Sequence, residues 1–336
     1  MQNLIKSPGR GRRVFSVLGI VLAAYVLVTL AMMGWWDHEP AHFDVVKVAE
    51  QRANTRHQPL VVGSVTTDAL IQSMQTLLDK RGGYLSNDRM PPGVLMDNVP
   101  NWEFGVITAS RDLARALRND FSRSQAQSTE DKDLQEAEPL LSSPNDRWML
   151  PSSESQYRKA ISRLDDYATR LSDGDINDAK FYARADNLAD YLQLVSTRLG
   201  SLSQRLSASV GQVRLDADPL KDTTAAVNKR STRMSRTPWT KLDDNFYEAR
   251  GYTWALREQF EAIRVDFGPV LRDKNAMISL DQVIRELEEA QKPIGSPMVL
   301  NGSPFGFFAN HSLVLANYVS RANAAVIELR ELLKRG

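Results

Sequence analysis

The sequence predicts an all-α protein: a single N-terminal transmembrane helix followed by a periplasmic bundle of about seven helices. Two observations carry that prediction. Val14 to Met33 is a run of 20 residues without a charge, VFSVLGIVLAAYVLVTLAMM. Beyond it, apolar residues recur at alternating spacings of four and three through most of the chain, the pattern of one buried helical face.

The elements follow in order. Residues 1–13 contain Lys6, Arg10, Arg12 and Arg13 and no acid, and read as a basic tail. Residues 14–36 are the anchor. As a helix, the uncharged run spans about 30 Å, the thickness of a hydrocarbon core. Secretory signal cores run to about 7–15 residues, so this one is read as an uncleaved anchor. Trp35 and Trp36 close it at the interface, and Arg12 and Arg13 flank its other end. Basic residues before the span and acids after it put the N-terminus in the cytoplasm and the rest in the periplasm of an inner membrane.

Residues 37–65 read as a juxtamembrane connector punctuated by Pro40, Pro59 and Gly63, with Val45–Val48 and Leu60–Val65 as short strands or extended chain. The helical domain is 66–336. Thr67-Asp68 opens its first helix, which ends at Gly82-Gly83. Tyr84 to Pro100 is a loop, because Pro91, Pro92 and Pro100 interrupt it. Asn101 caps the next helix, with Val106, Ser110, Leu113, Leu117 and Phe121 inside. Ser122 to Asp146 is a polar loop with at most one short helix. Ser152 or Ser153 starts a helix with Tyr157, Ile161, Leu164, Ala168 and Leu171 on one face. A long helix runs from about Asn177 to Gly211, with a seam of Leu188, Leu192, Val195, Leu199, Leu202 and Leu206. Small residues such as Gly200 and Ser203 flank that seam and allow close approach.

A basic polar loop, 218–238, allows a division into two subdomains. After Pro238 a helix presents Leu242, Phe246, Ala249, Thr253, Leu256, Phe260 and Ile263. Met277, Leu280, Ile284 and Leu287 mark a shorter helix, and Pro297 to Phe308 a loop. The last helix presents Leu315, Val319, Ala322, Val326, Leu329 and Leu333. Antiparallel bundle packing accommodates all of these. A short match between Asp178-x-x-Phe-Tyr-Ala-Arg184 and Asp243-x-x-Phe-Tyr-Glu-Ala-Arg250 suggests an internal repeat.

Composition removes several chemistries. The chain has no Cys, which excludes disulfides, thiol catalysis and thiolate metal sites. Its 42 Lys+Arg against 41 Asp+Glu give no basic excess, so no nucleic-acid partner is expected. Setting aside the four N-terminal basic residues leaves a mildly acidic domain, with 38 basic against 41 acidic residues.

His38-Glu39-Pro40-Ala41-His42 has the H-E-x-x-H form of zinc proteases, but that chemistry needs both imidazoles on one helical face. Pro40 disfavours a helix there, and the segment is read as an interfacial turn. Asp131/Asp133 and Asp216/Asp218 are read as solvated pairs. No metal, cofactor or catalytic residue is assigned. His311 is read as a core or interface histidine. Phe305, Phe307 and Phe308 are expected to dock on the bundle.

The candidate binding residues are Asp97, Asn101, Trp102 and Glu103, in and after the long loop, with Arg184 and Arg250 from periodic segments. Long loops in a helical domain are functional or disordered, and this one is apolar enough to pack.

Several segments occur in order: GGYLSND (82–88), PPGVLMDNVPNWEFG (91–105), ARALRNDFSRSQAQSTEDKDL (114–134), LPSSESQYR (150–158) and FYARADNL…RLGSLSQRLSASVG (181–211). In these the chain resembles an uncharacterised family of proteobacterial membrane-anchored proteins, a domain of unknown function. The resemblance covers nearly the whole chain. It implies a Gram-negative inner-membrane protein with a periplasmic helical domain, and it implies no activity.

The function expected is that of a membrane-tethered periplasmic interaction or scaffold protein. It would contact the bilayer through residues 14–36 and an envelope protein through its grooves and loops. The alternative is a periplasmic ligand-binding or hydrolytic domain acting on cell-wall or lipid material, for which Asp97, Trp102, Glu103 and an Arg such as Arg184 would have to converge in a concave site.

Overall fold

The computed structural model describes residues 10–125, 127–175, 178–215, 232–296 and 298–335. Among them run eleven α-helices and one small β-hairpin. The helical class is as the periodicity predicts. The differences fall where periodicity is weakest.

α1 (Arg10–Trp36) leaves nearly all its side chains exposed, and its stretch Val14–Trp36 is long and apolar enough to cross a membrane. The side chains of Arg12 and Arg13 lie outside the described residues. α2 (Val45–Arg56) is a helix that begins where Val45–Val48 was expected to be a short strand or extended chain. Asp44 caps it by accepting from the Val46 and Lys47 N–H groups, and Val45, Ala49 and Ala53 bury one face at a spacing of four. α3 (Ser64–Asp79) begins ahead of Thr67-Asp68. Asp68 is not a cap: it is fully buried and receives the Arg56 guanidinium at 2.7 Å.

α4 (Asn98–Ala116) starts inside the expected loop, since Pro100 falls in its first turn, where no N–H is needed. Val106, Ser110 and Leu113 are buried as read, and a π-turn (Leu117–Phe121) buries Leu117 and Phe121. α5 (Lys132–Leu141) is capped by Asp131. Asp131 and Asp133 are therefore not a loose solvated pair: both grip Arg170, at 2.8 and 2.5 Å. Asp216 and Asp218 lie outside the described residues. α6 (Ser153–Leu171) is capped by Ser152, which accepts from the Ser155 N–H.

α7 (Ala185–Ser207) starts well after the expected position; Asn177 itself is outside the described residues. Phe181 and Tyr182 lie in non-helical chain, where the Tyr182 N–H donates to the Phe121 carbonyl at 2.6 Å. Their counterparts Phe246 and Tyr247 lie within α8 (Leu242–Asp266), so the sequence match is not a structural repeat. β1 (Gln212–Leu215) pairs antiparallel with β2 (Thr232–Ser235); β1 follows directly on the expected helix end at Gly211, and β2 falls in the expected polar loop. α9 (Gly268–Asp273), α10 (Met277–Ala290) and α11 (His311–Lys334) complete the chain.

The seam of α7 is buried at all six positions. It packs along α11, with Ser203 Oγ donating to the Ala316 carbonyl at 3.2 Å. α4 and α8 cross at backbone contact distance. A Cβ on Gly251 would lie 1.9 Å from the Trp102 carbonyl oxygen, and one on Gly105 2.1 Å from that of Glu248. One connected set of buried side chains reaches from Leu70 to Leu333.

Cross-helix bonds fix which helix ends lie together. Asn101 at the start of α4 donates to Asp244 at the start of α8. Arg205 at the end of α7 reaches Asn245 and Glu248. Arg250 reaches the end of α10, and Arg158 near the start of α6 reaches Asp79 at the end of α3. The Ser203–Ala316 bond adds the start of α11. One end of the bundle thus gathers the C-termini of α3, α7 and α10 with the N-termini of α4, α6, α8 and α11. α1 also stops at this end.

The loop of Phe305, Phe307 and Phe308 corrects the docking expectation: their relative exposures are 102%, 97% and 69%. The chain turns tightly there, with an isolated bridge between Asn301 and Asn310, and the rings point away from the core. His311 sits in the first turn of α11, where its Nδ1 accepts from the Leu300 N–H.

Candidate functional site

A cleft of about 450 Å³ lies where the connector crosses the bundle. Its walls are the connector Asp37–His42, one face of α4 with Trp102, one face of α8 with Tyr247, Arg250 and Trp254, and the chain after α10.

The connector is a strap in non-helical conformation, bound side chain by side chain. Trp36 lies over Gly82, where a Cβ would sit 2.7 Å from the indole, and the Arg81 guanidinium stands 6.0 Å from the Trp35 ring centre. Glu39 receives Arg250 through two bonds, 2.6 and 2.5 Å long. The Pro40 carbonyl accepts from Trp254 Nε1 at 3.0 Å. His42 stacks on Trp254 with ring centres 5.9 Å apart, and its Nδ1 lies 2.5 Å from Glu258 Oε1. Glu258 is fully buried and also takes Arg257 at 3.2 Å. The two histidines of the H-E-x-x-H form do not share a helix face, so the expected turn is packed on protein at its C-terminal half. No group of three or more His, Asp or Glu able to hold a metal occurs among the described residues.

Arg250 does a second job. It donates to the carbonyls of Ala290, Gln291 and Lys292 at 2.9–3.2 Å, and so satisfies the open C-terminus of α10. Burial pushes the Tyr247 phenol up to about 12, with the nearby Asp37 and Glu39 carboxylates adding to the shift.

The six candidate residues separate. Trp102 and Arg250 meet at the cleft, and Trp102 packs edge-on to Trp254 at 5.3 Å. Asp97 is exposed, and with Met33, Gly34 and Leu95 it lines a neighbouring hollow of about 160 Å³. Asn101 is spent on the Asp97 carbonyl and on Asp244. Glu103 points the other way. It is fully buried and accepts from Lys80 Nζ, from the Leu85 and Ser86 N–H groups at 2.8 Å, and from the Ser86 hydroxyl. It clamps the loop after α3 rather than facing a ligand. Arg184 is at the far end of the bundle, exposed at the start of α7 and paired with Asp186. It is not part of a periodic helix face.

Glu39, His42 and Glu258 were not among the sequence candidates. A lone Glu on a helix reads as solvent-facing, and nothing local reveals that its partner lies 216 residues away.

The fold and the cleft define a class: a helical bundle carrying one apolar N-terminal helix that could span a membrane, with a cleft built around the chain leaving that helix. Within it, the chain belongs to the family described as "Uncharacterized protein conserved in bacteria (DUF2333)", which matches residues 10–336. Neither the curated proteins nor the solved structures hold a match to the chain.

Proposed function

We propose that this is a membrane-tethered helical scaffold of the cell envelope, whose bundle is mounted rigidly on its anchor and presents its flanks to another envelope protein. The observation that supports this most is the use of charge in the cleft. Glu39 is matched to Arg250, and Glu258 to His42 and Arg257. A hydrolytic or ligand-binding reading needs polar groups free to meet a substrate. Here Glu39, Arg250 and His42 instead fasten the strap to α8, and Arg250 ties it on to the end of α10. The basic N-terminal tail and the acids after the span support a cytoplasmic N-terminus and a bundle on the outer face of an inner membrane.

The test is photo-cross-linking in cells from flank positions such as Ile327 on α11, which is 42% exposed, with a reporter fused after Gly336 to fix the topology. The reading expects discrete adducts to one envelope protein and a reporter active in the periplasm. A reporter active only in the cytoplasm, or an absence of adducts from every flank, overturns it.

A further inference from the structure

The exposed apolar side chains of the bundle are not scattered. Among the described residues outside α1, every exposed Trp and Phe lies in a loop at the end where α1 stops. Trp148 precedes α6, Trp239 precedes α8, and the three Phe precede α11. Trp239 is 82% exposed. Aliphatic neighbours extend the pattern: Leu95 before α4 is 58% exposed and Leu150 before α6 is 98% exposed. The opposite end shows isolated aliphatic residues such as Ile278. Scattered exposed apolar residues need no explanation, but aromatic residues gathered in three separate inter-helix segments on one end do.

Height relative to the anchor decides what covers them. Leu95 and Met96 share a hollow with Met33 and Gly34, in the last turns of the apolar helix. Arg81 at the end of α3 reaches Trp35. The strap leaves no slack between anchor and bundle, because Trp36, Glu39 and His42 are each docked. The loops therefore stand at the level where the anchor would leave the hydrocarbon. Trp and Phe at that depth partition into the interfacial layer, where an indole or phenyl ring is better placed than in water.

We propose that this end of the bundle rests on the bilayer, with the loops bearing Leu95, Trp148, Leu150, Trp239 and Phe305–Phe308 inserted into the interfacial layer beside the anchor. The proposal rests on the tethered reading above and names its surface: lipid occupies this end, which leaves the flanks and the far end for protein. It accounts for the choice of Trp and Phe, and for the chain exposing them at one end only.

The chain has no Cys, so single-Cys variants carry a spin label at one site each. The full chain is reconstituted in phosphatidylethanolamine–phosphatidylglycerol vesicles with labels at Phe307→Cys, Trp239→Cys, Ile278→Cys and Ala24→Cys. Collision with oxygen, which concentrates in lipid, is compared with collision with a polar nickel chelate. The expected result is an oxygen-to-nickel ratio several-fold higher at 307 and 239 than at 278, with 24 higher still. If 24 is in lipid while 307 and 239 match 278, the inference fails and the tether stands. If 24 is in water, the tether fails and this inference with it. If 307 and 239 are shielded from both reagents, protein covers them and the lipid assignment is overturned.

Discussion

Glu103→Gln separates a structural carboxylate from a ligand-binding one. Glu103 is fully buried, and both its oxygens are occupied by four donors on Lys80, Leu85 and Ser86. The amide keeps the shape but loses the charge and one acceptor. The bond to Lys80, itself 3% exposed, is charge-assisted and contributes about 1.5–3 kcal/mol. The Ser86 N–H and hydroxyl would face an NH2 group, at a further cost of about 1–3 kcal/mol. Together the loss is roughly 3–5 kcal/mol, the range for breaking a buried ion pair by removing one partner. The assay is denaturant or thermal unfolding of the full chain in detergent, with hydrogen exchange over residues 80–97 as the local readout. A double-mutant cycle with Lys80→Met should give a coupling of about 1.5–3 kcal/mol. A ligand-binding carboxylate behaves otherwise, since its removal leaves stability unchanged or raises it. A cost below about 1 kcal/mol, with unchanged exchange in the loop, would refute the clamp.

Burial and the neighbouring Asp190 push the Asp120 carboxyl up to about 6. The folded state therefore holds this proton more tightly than the unfolded chain, and the stability this confers is full below about pH 4 and lost as pH rises through 6. Asp120→Asn should accordingly stabilise the chain by about 1–2 kcal/mol at pH 8, allowing for partial exposure, and by nothing near pH 4; unfolding midpoints across that range check it. Gly251→Ala drives a methyl to 1.9 Å from the Trp102 carbonyl oxygen, so α4 and α8 must separate, and the unfolding free energy should fall by about 3 kcal/mol or more. Replacing Phe305, Phe307 and Phe308 together by Ser should change unfolding stability by less than about 0.5 kcal/mol per site, because the rings pack on little, while weakening adsorption of the bundle end to vesicles.

What could be read from the sequence follows from range. The seam of α7, the apolar face of α8 and the face of α11 are local patterns, and each buries the residues its spacing names except Leu242, which is half-buried at the start of α8. The cap of α6 at Ser152 is equally local. α2 was missed because Val45-Val46-x-Val48 carries the side chains of a strand; Asp44 as cap and the spacing of Val45, Ala49 and Ala53 were the opposing signal. The early start of α4 was hidden by Pro100, which breaks helices in their interiors and is harmless in the first turn. The hairpin β1–β2 has too few residues per strand to show alternation. Arg250 stood out as a charge in a periodic helix and Trp102 as an indole of the long loop, whereas the Glu39–Arg250 and His42–Glu258 pairs join residues more than 200 apart. Glu103 and Arg184 show the converse: residue type drew attention, and only the surrounding backbone assigns one to a buried clamp and the other to a surface pair.

The connector carries the larger consequence. Read as free chain, the 29 residues from 37 to 65 would let a bundle wander roughly 30 Å from its anchor. A bundle on such a tether would sample every orientation, and exposed aromatic loops at one end would meet the bilayer only in passing. In the structure the same residues are a docked strap followed by α2, fastened by Glu39 to α8 and by Arg56 to α3. Contact with the bundle begins at Met33 to Trp36, so orientation is set at the last turns of the apolar helix. Glu39→Gln keeps Arg250 on the three α10 carbonyls but removes its ion pair to the strap, so it should loosen orientation, at a stability cost below that of Glu103→Gln because Glu39 is partly exposed and Arg250 keeps its carbonyl partners. In the spin-label experiment that variant should lower the oxygen-to-nickel ratio at 307 and 239 toward that at 278 while leaving 24 in lipid. A ratio unchanged by the substitution would mean that the loops hold the bilayer without help from the joint.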